Sequence, residues 1–178
     1  MAPSVDGMTT TQSTQQDTAA AIPEIASRMD FEARASGFYR AVVHLDQAAT
    51  KELDKAGIDP RLRELARIRA SQLNGCAYCN DMHTKDARAI GETEQRIYAL
   101  PAWRETPYFS SRERAALAFT ESATLLADTH VPAGAYQAVA AEFSEAEIAA
   151  LISLIVTINA WNAIGVSTRI WLPGSYQP

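Results

Sequence analysis

The chain has 178 residues, 47% hydrophobic and 21% charged, with a formal net charge of −5. That size fits one domain, and folding can bury about 70% of the unfolded chain's surface, so neither a metal nor a disulfide is needed to hold the core. Sixteen Lys and Arg against 21 Asp and Glu exclude a basic nucleic-acid-binding surface.

Residues 1–22 are rich in Thr, Gln, Ser and Ala and carry no periodic apolar face, which predicts a disordered leader. The first basic residue is Arg28 and no apolar run precedes it, so a secretory signal is not expected. From residue 23 to 178 the pattern reads as one all-α domain of about seven helices. Phe38, Val42 and Leu45 recur at helical spacing and predict the first apolar face. After Gly57, the pair Asp59-Pro60 opens a helix running to Leu73, and its arginines, Arg61, Arg63, Arg67 and Arg69, read as a wet face. Asn74-Gly75 breaks it, which lets the next helix fold back antiparallel.

That next segment, Asn74-Gly75-Cys76-Ala77-Tyr78-Cys79-Asn80-Asp81-Met82-His83, holds both cysteines of the protein. A bridge across so small a loop stabilises by only about 2 kcal/mol, so reactivity is a better reason for the pair than stapling. On a helix beginning near Cys76, positions 76, 79 and 83 fall at about 0°, 300° and 340°, one face. Glu64 lies about 15 Å down the preceding helix and His83 about 12 Å down the second, so the two can meet across the hairpin. Thiolate is the reactive form of cysteine, and a helix N-terminus and a cationic imidazole both favour it. Cys79 has both, Glu64 would orient His83, and Cys76 would act as proton donor and resolving thiol. Two other readings stay open: buried free cysteines as small hydrophobes, and zinc. Structural zinc wants four ligands, and only His44 and His130 remain, both distant in sequence and read as structural.

Further breaks stand at Gly91, Pro101 and Pro107. Ser110-Ser111 with Glu113, then Val131-Pro132, then Ser144-Glu145-Ala146-Glu147 mark three helix starts. The stretch Ile148 to Ile158 is interrupted by Ser153 and Thr157 and is short for a membrane span of about 20 residues, so no membrane association and a cytoplasmic location are expected. This helix is apolar over more than one stripe, which predicts burial in the core and in a subunit interface. Trp103, Trp161 and Trp171 read as core or interface aromatics.

The run from Glu64 through Cys76 and Cys79 to His83, with spacings of twelve, three and four residues, strongly resembles the core motif of alkylhydroperoxidase D-like proteins of the carboxymuconolactone decarboxylase superfamily. The similarity continues through Thr84 to Gly91, Ala102-Trp103-Arg104, Ser111 to Leu117, and Thr157-Ile158-Asn159-Ala160-Trp161-Asn162. The resemblance implies an all-helical homo-oligomer, a trimer or hexamer, with thiol peroxidase activity and neither cofactor nor metal. It assigns Cys79 as the nucleophile that becomes a sulfenic acid and Cys76 as the resolving thiol, the two closing a Cys76–Cys79 disulfide. Glu64 and His83 would relay protons. It implies a peroxide substrate and a dithiol reductant, a lipoyl-bearing protein in the family's best-understood members. One position departs from those members: a histidine is replaced here by Tyr78. A general dithiol-disulfide oxidoreductase or redox sensor is the alternative reading, and a decarboxylase of the superfamily's namesake type fits less well.

Overall fold

The computed structural model describes residues 25–178, so the leader expected over residues 1–22 lies outside the described residues. Among the described residues there are nine α-helices, one 3-10 helix and no strand, as the all-α reading requires. Seven helices are six residues or longer: α2 (Ser36–Ala56), α3 (Pro60–Asn74), α4 (Ala77–Ala89), α5 (Glu94–Ala99), α6 (Ser111–Thr124), α8 (Ala133–Glu142) and α9 (Glu145–Thr168). The other two, α1 (Phe31–Arg34) and α7 (Leu126–Thr129), are single turns, too short to leave a periodic pattern in sequence. The 3-10 helix, Leu100–Glu105, follows α5 directly.

Local chemistry accounts for the boundaries. Asp59 Oδ1 accepts from the Arg61 N–H at 2.8 Å with Pro60 at the first helical position, starting α3. Ser110 and Ser144 each form a full capping box, with Glu113 and Glu147, starting α6 and α9. Each such cap contributes about 1 kcal/mol. Gly57 and Gly75 end α2 and α3 at φ 68°, the left-handed conformation that glycine adopts without steric cost.

Helix α3 is the centre of the molecule and packs against α4, α6 and α9. Leu62, Ala66 and Ala70 face one apolar cluster with Phe119, Val139, Leu151, Leu154 and Ile158. Leu65 and Ile68 face a second, with Ile97, Leu100, Trp103, Phe109 and Leu117. Burial on two sides leaves α3 only narrow strips at the surface, which corrects the expectation of a wet arginine face. Arg61 is exposed, but the side chains of Arg63, Arg67 and Arg69 are largely buried and paired with Asp54, Glu64 and Glu121. Glu121 also accepts from Trp103 Nε1 at 2.8 Å, tying the 3-10 helix to α6.

Two other expectations change. On α2 the buried positions are Val42, Ala49 and Leu53, while Phe38 is 60% and Leu45 42% exposed. The inward face of α2 meets α9, and the Phe38 ring instead packs edge-on against Phe31, 6.1 Å between centroids. Helix α9 runs 24 residues, longer than the apolar stretch read from sequence, and reaches the length and apolarity of a membrane span, with 56% of its most apolar window buried inside this protein. Ser153 and Thr157, which interrupt its apolar run, return their hydroxyls to the Ala149 and Ser153 carbonyls and so leave the helix continuous. Its outward face carries Ile152, Val156 and Val166, all exposed.

Candidate active site

The turn between α3 and α4 sets the site. The Cys76 N–H reaches back to the Ser71 carbonyl at 3.0 Å and the Gly75 N–H to the Gln72 carbonyl at 3.3 Å, closing α3. A polar network fixes this turn to α9: Asn74 Nδ2 donates to Asn159 Oδ1 (2.8 Å) and Asn162 Oδ1 (2.9 Å), and Asn162 Nδ2 donates to Ser71 Oγ (3.1 Å). Cys76 then becomes the N-cap of α4 in extended conformation, its Sγ accepting from the Cys79 N–H at 3.3 Å. Cys79 therefore sits in the first turn, where the unpaired N–H groups of the helix concentrate positive potential.

The two sulfurs are bonded to each other, with Cα atoms 5.3 Å apart, and both residues are nearly inaccessible, at 2% and 3% exposure. Because Cys76 precedes the helix, its sulfur meets that of Cys79 from the cap position and not from the helical angle on which the sequence reading relied. One turn after Cys79, His83 Nδ1 lies 2.8 Å from Glu64 Oε2, the contact expected across the hairpin. The second carboxylate oxygen, Glu64 Oε1, accepts from Arg67 Nη1. Burial works to raise the Glu64 carboxyl, but the His83 hydrogen bond and the charges of His83 and Arg67 outweigh it and hold the group below the usual carboxylate value. Glu64 is thus an anion at neutral pH, able to orient the imidazole and to stabilise its protonated form.

Glu64, Cys79 and His83 open together on a cavity of about 420 Å³. Its far side is aromatic. Tyr39 of α2 and Trp161 of α9 stand 5.6 Å apart, Trp161 and Trp171 5.8 Å, and Tyr78 and Trp171 5.5 Å, in edge-on and tilted arrangements. Trp161 and Trp171 thus line the site, whereas Trp103 is a core residue of the second cluster. The tail after α9 is laced onto α4: the Gly174 N–H donates to Asp81 Oδ2 (2.8 Å), Lys85 Nζ to the Tyr176 carbonyl (2.9 Å), and Tyr176 Oη to Asp86 Oδ1 (2.6 Å). That last bond, with burial adding to it, pushes the Tyr176 phenol up to about 12.

Six side chains of this cavity escaped the reading of the sequence, Asp46 and Thr50 of α2 among them. Arg67 and Asp86 stand three residues after Glu64 and His83 on the same helices, a spacing that places them on the same faces and could have found them. Tyr39 and Met82 carried no comparable signal. His44 and His130 are exposed and outside the site. Glu64, His83 and Asp86 bring ligand-type atoms within 4.8 Å of one another, but Glu64 is already paired with His83 and with Arg67, whose positive charge works against a cation there.

Comparison with known proteins gives the ancestry of this arrangement. The model of the carboxymuconolactone decarboxylase family matches residues 36–122, which span α2 to α6 and the whole hairpin. YdfG of Bacillus subtilis is 45% identical over 117 residues, 66% of this chain and 80% of that protein. The crystal structure of a protein of unknown function from Agrobacterium tumefaciens, assigned by likeness to the antioxidant-defence protein AhpD, superposes with a TM-score of 0.77 at 34% identity, covering 83% of this chain and 99% of that one. A peroxidase-related protein from Silicibacter, 20% identical with a TM-score of 0.66 over 76% of this chain and 70% of its own, shares the fold. The chain is an alkylhydroperoxidase D-like member of the carboxymuconolactone decarboxylase superfamily.

Proposed function

We propose that the protein is a thiol peroxidase that reduces organic hydroperoxides. The observation that carries this reading is the meeting of Cys79, the His83–Glu64 pair and an aromatic cavity at one helix N-terminus. In the reduced protein, Cys79 as thiolate attacks the outer peroxide oxygen, the O–O bond breaks, and the departing alkoxide takes a proton from the His83 imidazolium, leaving an alcohol and a sulfenic acid. The Cys76 sulfur then attacks Cys79, the hydroxyl leaves with the thiol proton as water, and the Cys76–Cys79 disulfide closes. Glu64 holds the imidazole in place and steadies its charge through the cycle. Two thiol equivalents from a dithiol donor return the pair to the reduced state. A cavity far larger than hydrogen peroxide, walled by four aromatic rings, supports an organic substrate.

The exposed apolar stripe of α9, Ile152 and Val156 with Val166 beyond them, supports assembly of the chain into a homo-oligomer. A monomer in sedimentation at micromolar concentration would count against that part of the proposal.

The decisive experiment treats reduced protein with one equivalent of cumene hydroperoxide and follows sulfur chemistry by rapid mixing and mass spectrometry. One disulfide per peroxide consumed is expected, with a sulfenic acid trapped on Cys79 in Cys76→Ser. Equal peroxide turnover by Cys79→Ser would refute the mechanism. A rate with a model disulfide that exceeds the rate with peroxide would favour the general dithiol oxidoreductase instead.

A further inference from the structure

The two cysteines line different cavities. Cys79 lines the aromatic cavity with His83 and Glu64, whereas Cys76 lines a second cavity of about 270 Å³ between the start of the described chain, the end of α9 and the tail. The charges differ as well. Asp46, Glu64 and Asp86 line the first, while the second holds Arg28 and Arg169 and no acidic residue among the described ones, in a protein of net charge −5. Arg28 is held in place by the Ser167 carbonyl, 3.1 Å from Nη1, and Arg169 is exposed at φ 51° as the C-cap of α9.

Gly165 also lines the second cavity and brings the α9 backbone close to the Cys76 sulfur. Glycine within a helix costs about 1 kcal/mol relative to alanine. Here a Cβ at position 165 would stand 3.2 Å from Cys76 Sγ and 3.6 Å from the Trp171 ring, so the bare backbone lets helix, sulfur and indole close on one another beside the opening.

We propose that the Cys76 cavity is a separate docking site for the reducing thiol, and that it selects a thiol carrying a carboxylate. The inference rests on the redox reading of the disulfide given above. Exchange is in line: the incoming thiolate approaches one sulfur from the side opposite the sulfur that leaves. Attack from this cavity on Cys76 Sγ forms a mixed disulfide between Cys76 and the donor and expels Cys79 as thiolate. The Cys79 sulfur departs one turn before His83, whose imidazole can take up or share a proton with it as it leaves. A second donor thiol then attacks the donor sulfur, releasing Cys76 as a thiol and the donor as a disulfide, two electrons in all. Oxidant and reductant enter by different mouths, and Arg28 and Arg169 draw the anionic donor to its own.

The test compares dihydrolipoate with dihydrolipoamide, the same dithiol with and without a carboxylate, as reductants of the purified oxidised protein, read by thiol release and by tryptophan fluorescence. Dihydrolipoate should react about tenfold faster at low salt, with the preference shrinking as salt is added. Arg169→Glu should abolish or reverse it, and the milder Arg169→Gln should lower it. Acid-quenched reaction with glutathione, a carboxylate-bearing monothiol, should place the adduct on Cys76. Equal rates for the two dithiols, an adduct on Cys79, or no reduction by either donor would overturn the proposal, and equal rates would favour a neutral lipoyl amide on a protein. No peroxide enters this experiment, so a protein that shows the charge preference yet turns over no hydroperoxide would sink the peroxidase reading alone.

Discussion

The main cavity has two walls of different origin. One is the α3–α4 hairpin, whose Glu64, Cys79 and His83 lie within twenty residues of one another and are joined by a single tight turn. The other is the aromatic side, assembled from Tyr39 on α2, Tyr78 on α4, Trp161 on α9 and Trp171 in the tail. A hairpin of two helices makes its own geometry once spacing and turn are given, so the reactive groups are placed by local rules. The aromatic side exists only when α2, α9 and the tail have all packed. Beyond the amide network that ties its turn to α9, the chemistry therefore depends less on the rest of the fold than the shape offered to a substrate does.

If the hairpin carries chemistry and the aromatic side carries recognition, substitutions in the two walls should separate. Glu64→Gln keeps the volume and removes the charge that orients His83, and should lower kcat/KM by about 100-fold for every peroxide tested, large or small. A loss of threefold or less would break the comparison. The same variant has a signature in stability. The Glu64 carboxyl is held below its unfolded value, so its contribution is present above the ordinary carboxylate range and is lost as pH falls through the lowered native value. Acid titration of stability should accordingly be shallower in Glu64→Gln than in the wild type.

Asn162→Ala sharpens the point about placement. It leaves the Asn74 amide with one partner fewer and the buried Ser71 Oγ without its donor, and should cost about 2 kcal/mol in denaturant unfolding. Its effect on activity should follow from loosening the turn that carries Cys76. Trp171→Ala belongs to the other wall. Removing an indole that contacts three other rings should raise KM for cumene hydroperoxide about tenfold while leaving the rate with hydrogen peroxide nearly constant. Equal effects on both peroxides would mean that the aromatic side supports the hairpin rather than the substrate.

The same division explains what could be read in advance. The meeting of Glu64 with His83 was legible because two helix rises and one Asn-Gly break determine it. The starts of α3, α6 and α9 were legible because their caps are local. The buried face of α2 was not, since Val42, Ala49 and Leu53 face inward only because α9 lies there, and the more apolar-looking Phe38 and Leu45 have no partner on that side. The arginines of α3 misled for a related reason: a helix buried on two sides has little solvent-facing surface, and period alone does not count the sides. Cys76 was placed on a helical stripe by angle, yet it is the cap, and a cap has left the helical geometry on which the angle depends.

The smallest expected effect concerns the seam between the two walls. Tyr176 Oη donates to Asp86 Oδ1, which lines the cavity one turn beyond His83, and so helps hold the tail that carries Trp171. The phenol must stay protonated to donate, and it is raised from the ordinary 10 to about 12. The stabilisation is therefore complete below about pH 10 and is lost as pH rises through about 12. Because Tyr176 is half-buried at the edge of the molecule, the bond is worth only about 0.5 kcal/mol, and Tyr176→Phe should barely change unfolding at neutral pH. Its effect should be visible in the ultraviolet instead: of the six tyrosines, one late phenolate step near pH 12 should vanish in Tyr176→Phe, and in the wild type the same step should coincide with a change in Trp171 fluorescence. A late step that persists in the variant would belong to another tyrosine, and the tail would then owe its hold on α4 to the Gly174–Asp81 and Lys85–Tyr176 carbonyl bonds rather than to the phenol.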